Sequence, residues 1–318
     1  MGRGGIGMRC ARLHGIGDLR VEILPDPVPA RDEVLVEIEA CGICPTDLRK
    51  YLIGTSDGYP LNPGHEWLGH IVAVGDDASA TWAEGDRVYG DTYAGYADQA
   101  VIAIAGNPWS IGPFRVSEGV SAVRASFLEP LADCVHAVRD QGRVEPGQHV
   151  TVIGAGQMGL QLVAAAADAG AVVTCVETDP DRLVRAPSFG AVNCLADLDD
   201  AEPTDCVILS IGIAKLVPRC VDLCLPGGRI VLFAGFGDQP RVELDMNAIH
   251  YRELAIVGSE WVGTPPHVHP ERYADALRMI EAGLPVETLV AREVGLDDVE
   301  DVYRAMQSRE LMKAILRP

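Results

Sequence analysis

No stretch of about 18 consecutive apolar residues occurs in this 318-residue chain, so a membrane-spanning helix is excluded. Basic residues are scarce: 26 Lys and Arg face 46 Asp and Glu, for a formal net charge of -20, and lysine stands only at Lys50, Lys215 and Lys313. A field of that sign repels phosphate backbones and anionic lipid surfaces, which leaves a small molecule as the expected partner, with no nucleic acid and no membrane. The start, MGRGGIGMRC, lacks the apolar core of a secretory signal, so a cytoplasmic location is expected. The nine cysteines are an odd number, cannot all pair within one chain, and are expected to be reduced there. Biased repeats are also missing, and 48% hydrophobic with 23% charged residues is the composition of a globular protein long enough for two domains.

What is present divides in two. Up to about residue 140 the chain reads as short β segments punctuated by Gly, Pro and Asp: DLRVEIL, EVLVEIEA, GHIVAVG, DRVYG and YADQAVI. From about Val144 strands alternate with alanine-rich helical stretches, the pattern of a parallel sheet covered by helices. HVTVIG, AVVTCVE, DCVILSIG, GGRIVLFAG and LAIVGSE read as buried strands, and helices are expected over the AGQMGLQLVAAAADAG stretch, over PDRLVRAPSFG and over roughly residues 214 to 225. After the proline-rich GTPPHVHPERY come an amphipathic helix, RYADALRMIEAG, and a closing helix-strand piece that leaves the alternation and is free to return to the first domain.

VIGAGQMG places Gly154, Gly156 and Gly159 between a strand and a helix. Gly154 permits the tight turn, Gly156 lets the backbone approach a pyrophosphate, Gly159 lets helix pack on strand, and the helix N-terminus favours the negative charge. Glu177, at the end of the next strand, is placed to accept hydrogen bonds from the hydroxyls of an adenosine ribose, which favours NAD over NADP. Asp179 is a rival acceptor, and Arg182 could offset the repulsion of a 2'-phosphate.

Two further stretches carry metal-binding residue types. EACGICPTDLRKY contains Cys41 and Cys44, which alone could be a redox couple, half of a structural zinc site, two core thiols, or one ligand beside a bystander. LNPGHEWLGHIVAVG sets His65 beside Glu66 at a turn entering a strand. Cys44, His65 and one further residue would supply the three protein ligands of an open, catalytic zinc site.

Taken in order and spacing, CGICPTDL, PGHEWLGHIVAVG, GDRVYG, EPLADCVHAV, VTVIGAGQMGLQLVAAA and the ending KAILRP resemble the zinc-dependent medium-chain alcohol and polyol dehydrogenases over essentially the whole chain. The resemblance implies an α/β protein: a GroES-like β domain over residues 1–140, completed by 265–318, and an inserted, doubly wound Rossmann domain over 141–264. It implies zinc and NAD as cofactors, a secondary alcohol or ketone of a polyol, sugar, cyclitol or amino alcohol as substrate, and a homo-oligomer, dimer or tetramer. By position, Cys44 and His65 match the first two zinc ligands, Glu129 the third, and Glu66 the neighbouring acid that supports the metal or enters its coordination. Cys41 matches a position that is not a ligand. Thr46 matches the hydroxyl residue that accepts the alcohol's proton, and Asp47 the carboxylate that orients the ligand histidine; its alternative role is a helix cap. Gln157, Met158, Arg182, Ser210 and Gly235 join the glycines and Glu177 as expected cofactor contacts.

The chain also departs from that pattern. Arg49 stands where a relay histidine is common, and an arginine cannot act as a base, so the proton relay is expected to end on water or on Glu66. No cysteine lies between Cys44 and Cys134, so the four-cysteine lobe for a structural zinc is missing and one zinc per subunit is expected. Trp67, Trp109 and Trp261 are expected as core or interface aromatics rather than cleft residues, and His70, His136, His267 and His269 lack ligand spacing. Cys220 and Cys224 are expected as buried thiols. The same motifs serve a biosynthetic reductase running in reverse. A noncatalytic NAD-binding regulatory protein would not need Cys44, His65 and Glu129 together, and the zinc-free quinone or enoyl reductases of this fold are expected to lack them.

Overall fold

The computed structural model describes residues 7–56, 58–104, 111–237, 240–261 and 267–318, with Ile111 described by its backbone alone. The chain opens with strands β1 (Met8–Gly15), β2 (Asp18–Leu24) and β3 (Glu33–Ile43), then helix α1 (Pro45–Ile53). Strands β4 (Glu66–Val74), β5 (Arg87–Asp91), β6 (Gln99–Ala103) and β7 (Ile111–Arg115) follow, then helices α2 (Ala122–Ala125) and α3 (Leu128–His136). Alternation starts with β8 (His149–Ile153), α4 (Gln157–Asp168), β9 (Val172–Val176), α5 (Pro180–Leu183) and β10 (Asn193–Leu195). It continues through β11 (Thr204–Leu209), α6 (Val217–Leu223), β12 (Cys224–Leu232), α7 (Met246–Tyr251), β13 (Ala255–Gly258) and α8 (His269–Glu281). The chain closes with β14 (Val290–Val294), α9 (Val299–Gln307) and β15 (Lys313–Leu316).

Two compact units result, residues 1–129 with 286–318 and residues 130–285. In the first, β3 is the spine, antiparallel to β4, β6 and β15 within the order β14-β15-β3-β4-β5-β7. Val34, Val36 and Ile38 alternate along β3 into a core shared with Trp67, Ile71 and Val88. The closing segment joins the same core through Val299, Val302 and Tyr303, spaced to share one face of α9. Burying each such side chain contributes roughly 1.5–3 kcal/mol.

The second unit holds a wholly parallel six-stranded sheet in the order β10-β9-β8-β11-β12-β13. This is the doubly wound order 3-2-1-4-5-6, whose direction reverses between β8 and β11. Residues 130–140 and α8 fall in this unit, whereas the sequence pattern groups them with the first domain. Charge pairing fixes them there: Arg272 Nε and Nη2 lie 2.9 and 3.0 Å from the Asp140 carboxylate. Arg139 lies 3.1 Å from Asp275, and Arg278 lies 2.6 Å from Asp168 at the end of α4.

Local differences from the sequence expectations have local causes. The helix expected over PDRLVRAPSFG is broken into α5 and a single 3-10 turn, Ala186–Phe189, because Pro187 has no N–H to continue the ladder and crowds the residue before it. The helix expected over 214 to 225 ends at Leu223, since Cys224 is already extended and begins β12. No helix among the described residues is long and apolar enough to cross a membrane.

Candidate active site

The sharp turn from β3 into α1 sets the first donor. Cys44 is extended (φ -105°, ψ 145°) and Pro45 occupies the first helical turn, where its fixed φ and missing N–H cost nothing. The second turn is set by Gly64, whose φ of 88° suits glycine and whose missing side chain leaves room for the Tyr96 ring. Together they bring Cys44 Sγ, a ring nitrogen of His65 and a carboxylate oxygen of Glu66 within 4.8 Å of one another.

The surroundings hold these donors in place. Asp47 is buried in α1 and does not cap it; its Oδ1 accepts the Gly64 N–H at 3.1 Å and its Oδ2 accepts the Tyr96 hydroxyl at 3.3 Å. The same Oδ2 lies 3.4 Å from His65 Nδ1, an ion-pair contact outside hydrogen-bond geometry that sets a carboxylate beside the ring. Glu66 Oε2 pairs with the ammonium of Lys313, and both residues are 0% exposed. Gly42, facing them from β3, makes the pair possible, because a Cβ there would overlap Glu66 Oε2. Glu66 Oε1 has no hydrogen-bond partner among the described residues.

Electrostatics matches this geometry. Burial pushes the Cys44 thiol up, Glu66 adds to the rise, and His65 and Lys313 oppose it. Burial favours neutral His65, yet the Asp47 carboxylate and Cys44 outweigh it and hold the ring's pKa well above the ordinary value. Burial likewise opposes charge on Lys313, and Glu66 prevails, so its pKa is raised. A buried carboxylate oxygen without a hydrogen bond, beside a thiol and an imidazole, is a donor set that a divalent cation completes; the cation favours the thiolate and the neutral ring. The residues therefore fit zinc.

The other candidates here are placed as follows. Cys41 is buried in β3, gives its thiol to the Gly42 carbonyl at 3.5 Å, and is pushed well above the ordinary thiol value by burial. It is not one of the three clustered donors. Glu129 lies half-buried on the first turn of α3, outside the cluster of three, and its charge adds to the rise at Lys313. Thr46 and Arg49 are exposed on α1, one turn apart. Lys313, Gly42 and Tyr96 were not singled out from sequence; the signal available was a rare lysine inside KAIL, an otherwise apolar strand.

The glycine loop is formed by backbone contacts. Gly154 follows β8 with φ 103°, and a Cβ there would come within 2.6 Å of Ser210 Oγ and 2.7 Å of Ile211. A Cβ on Gly159 would overlap the Gly154 carbonyl, whereas one on Gly156, which caps α4, meets nothing within 4 Å. Close packing thus lies on one side of the loop and open space on the other. Ser210 donates to the Ile153 carbonyl at 2.7 Å, tying the ends of β8 and β11 together at the point where the sheet's order reverses. Glu177 follows β9; Oε2 accepts the Ala155 N–H at 2.9 Å and Oε1 the Asp179 N–H at 3.0 Å. Arg182 lies 3.4 Å from Asp179 and is engaged by it. Gln157 is buried and Met158 half-buried at the start of α4, and Gly235 follows β12, with its carbonyl where a Cβ on Gly212 would have to go.

Among the tryptophans, Trp67 is buried with Nε1 donating to Thr92 Oγ1 at 2.9 Å. Trp261 is buried with ring contacts to His136, His269 and Tyr273. Trp109 lies outside the described residues. His70 faces Glu118 at 3.6 Å, His267 is exposed, and Cys220 and Cys224 are buried.

Comparison with known proteins identifies the family. Residues 30–121 match the alcohol dehydrogenase GroES-like domain, and residues 156–282 match the zinc-binding dehydrogenase domain. A sorbitol dehydrogenase of Halalkalibacterium halodurans is 24% identical, over 96% of this chain and 97% of that one. An erythritol/L-threitol dehydrogenase of Mycolicibacterium smegmatis is 26% identical over 98% of each. Among solved structures, a zinc-binding dehydrogenase homologue from Sinorhizobium meliloti bound to NADP superposes with a TM-score of 0.87 at 24% identity, over 98% of this chain and 99% of that one.

Proposed function

Because the chain belongs to the zinc-type medium-chain dehydrogenase/reductase family, we propose that it transfers a hydride between NAD and a secondary alcohol or ketone of a polyol-like substrate. The observation that carries this reading is the convergence of half-buried Cys44 with buried His65 and Glu66 within 4.8 Å, with one Glu66 oxygen unpartnered among the described residues. Cys44, His65 and a carboxylate, Glu66 or Glu129, would hold a single zinc. Bound there, zinc supplies Lewis acidity toward a hydroxyl or carbonyl oxygen, and the nicotinamide supplies the hydride acceptor.

The chain's own residues do the rest. Asp47, 3.4 Å from His65 Nδ1, places its negative charge beside the ring and supports it as a ligand. Lys313 neutralises Glu66, so that the buried corner does not carry two uncompensated anions. Thr46, exposed two residues beyond Cys44, takes the proton of the hydroxyl and passes it to water or to Glu66, since Arg49 cannot accept it. In the second unit Gly156 leaves space for the pyrophosphate at the start of α4, and Glu177, held by two backbone N–H groups, takes the adenosine ribose. The Glu177 carboxylate opposes a 2'-phosphate, and Arg182 is occupied by Asp179, so NAD is preferred to NADP. The polyol assignment follows the sorbitol and erythritol/L-threitol dehydrogenases in the comparison. A cytoplasmic dimer or tetramer is the expected assembly.

The test is NADH formation across polyols, sugars, cyclitols and simple secondary alcohols, for wild type and Glu177→Ala. Turnover of at least one secondary alcohol, with NAD affinity lower in the variant, is expected. No turnover of any alcohol or ketone with zinc-loaded protein would refute the reaction, and unchanged NAD affinity would refute the ribose assignment.

A further inference from the structure

Asp47 is a buried carboxylate whose two oxygens are each held by one hydrogen bond among the described residues. Oδ1 accepts the Gly64 N–H, and Oδ2 accepts the hydroxyl of Tyr96 at 3.3 Å. Oδ2 is also the oxygen that lies 3.4 Å from His65 Nδ1, so a single atom serves the tyrosine and the imidazole together. At that separation a small rotation of the carboxyl group makes or loses the contact with the ring. Among the described residues, the Tyr96 hydroxyl is the one side-chain donor that resists the rotation.

Tyr96 is itself fixed from several sides. It precedes β6 by three residues and is fully buried, and its carbonyl accepts the N–H of Ala11 in β1 at 2.8 Å. Its own N–H donates to the Pro63 carbonyl at 3.1 Å, while the N–H groups of Ala94 and Gly95 both donate to the Gly64 carbonyl, at 3.0 and 2.8 Å. The ring lies over Gly64, where a Cβ would come within 2.3 Å of Tyr96 Cδ1. The segment thus grips residues 63 and 64, directly before His65, through its backbone, and the Tyr96 hydroxyl reaches across to α1. The turn that carries His65 and the helix that carries Asp47 are tied to one side chain.

The hydroxyl is what calls for an explanation. A phenylalanine would fill the same core without the cost of burying a polar group. Tyr303 of α9 packs in that core as well, and its hydroxyl interacts with that of Tyr96; burial pushes both well above the ordinary tyrosine value, so each stays a neutral donor. An ionised carboxylate can only accept, so the Tyr96 proton is directed to Asp47. Tyr51 offers a contrast within the same neighbourhood: its ring meets Tyr303 at 5.2 Å, yet its hydroxyl goes to Glu300 at 2.9 Å.

Resting on the zinc-dependent reading above, we propose that Tyr96 is a positioning residue of the candidate zinc site, setting the His65 ring toward the metal through Asp47 and holding the turn that presents His65 beside Cys44. Partners that orient a ligand histidine typically contribute 10- to 100-fold in metal affinity, and Tyr96 acts one contact further out, so its hydroxyl contributes about tenfold.

The experiment compares wild type, Tyr96→Phe, Asp47→Asn, the double variant and Tyr51→Phe. Zinc dissociation constants are measured by competition with a chromophoric chelator, the visible absorption of the cobalt(II)-substituted proteins is recorded, and thermal unfolding is followed alongside kcat/KM for NAD-dependent alcohol oxidation. Tyr96→Phe should bind zinc about tenfold more weakly and shift the cobalt bands, and Tyr51→Phe should match wild type in both. In the Asp47→Asn background the second substitution should add little, because the two residues act as one unit. Zinc affinity in Tyr96→Phe within about twofold of wild type, with unshifted cobalt bands, overturns the role, even where stability falls; so do effects that multiply fully in the double variant, which would mean that the two residues act independently. Wild type that takes up neither metal overturns it too, whatever its turnover. If the expected metal affinities and spectra are found but no alcohol or ketone is turned over, the reaction proposed above fails and the positioning role stands.

Discussion

Between Gly154 and Glu177 the nucleotide corner is assembled almost entirely by backbone: a positive φ, two glycines that tolerate no Cβ, and a carboxylate held by two N–H groups. The candidate metal corner draws on Gly42, Cys44, Asp47, His65, Glu66, Tyr96 and Lys313, far apart in sequence, with β15 and β4 both paired to β3. In the first corner the chemistry is local and the fold supplies a platform. In the second the fold itself creates the site, by burying charges that only their partners make tolerable.

Removing one partner at a time should therefore hurt the metal corner most. Cys44→Ala removes a donor that nothing nearby replaces, and kcat/KM should fall by about 1,000-fold or more, the scale of losing a metal's several kcal/mol of transition-state stabilisation. Lys313→Met leaves Glu66 buried and uncompensated, so urea unfolding should show a loss of roughly 3–5 kcal/mol. The double variant Lys313→Met/Glu66→Gln should recover much of it, and no recovery would mean that Lys313 acts elsewhere.

The nucleotide corner should split along its two sides. Gly159→Ala drives a Cβ into the Gly154 carbonyl and should cost about 1–3 kcal/mol of stability, whereas Gly156→Ala faces open space and should leave stability near wild type while weakening NADH binding about tenfold. If both variants behaved alike, the division into a packed and an open side would be wrong.

A smaller effect tests the framework of the second unit. Burial raises the Asp140 pKa, but Arg272 and His136 outweigh it and hold the carboxyl below its ordinary 3.8. A lowered folded value means that the contribution is complete above about pH 4 and is lost as pH falls through the lowered folded pKa. Asp140→Asn should cost roughly 1–3 kcal/mol at neutral pH, and the gap to wild type should close as unfolding is repeated at successively lower pH below 4. A gap independent of pH would place the cause in packing rather than charge. Smallest of all, Cys41→Ala should cost about 1 kcal/mol of stability and leave the metal in place.

What could be read directly from sequence follows the same division. The glycine spacing and Glu177 were legible because β8, its turn and α4 are contiguous, and the strands of the parallel sheet showed as unbroken apolar runs. Cys44, His65 and Glu66 were visible as residue types, but Lys313 was not, since its meaning depends on a pairing 247 residues away in sequence. Asp47 read first as the carboxylate beside the ligand histidine and second as a helix cap, and its contacts to Gly64, Tyr96 and His65, absent from any local pattern, set it apart from a cap. The break at Pro187 was readable in principle; the apolar spacing on both sides hid it.

The account stands most directly on the metal content of three proteins purified without added metal and measured by mass spectrometry: wild type, Cys44→Ala and Cys41→Ala. It requires one zinc per chain in wild type and in Cys41→Ala, and none in Cys44→Ala. Zinc retained by Cys44→Ala, or wild type that binds no zinc even when it is supplied, would contradict it.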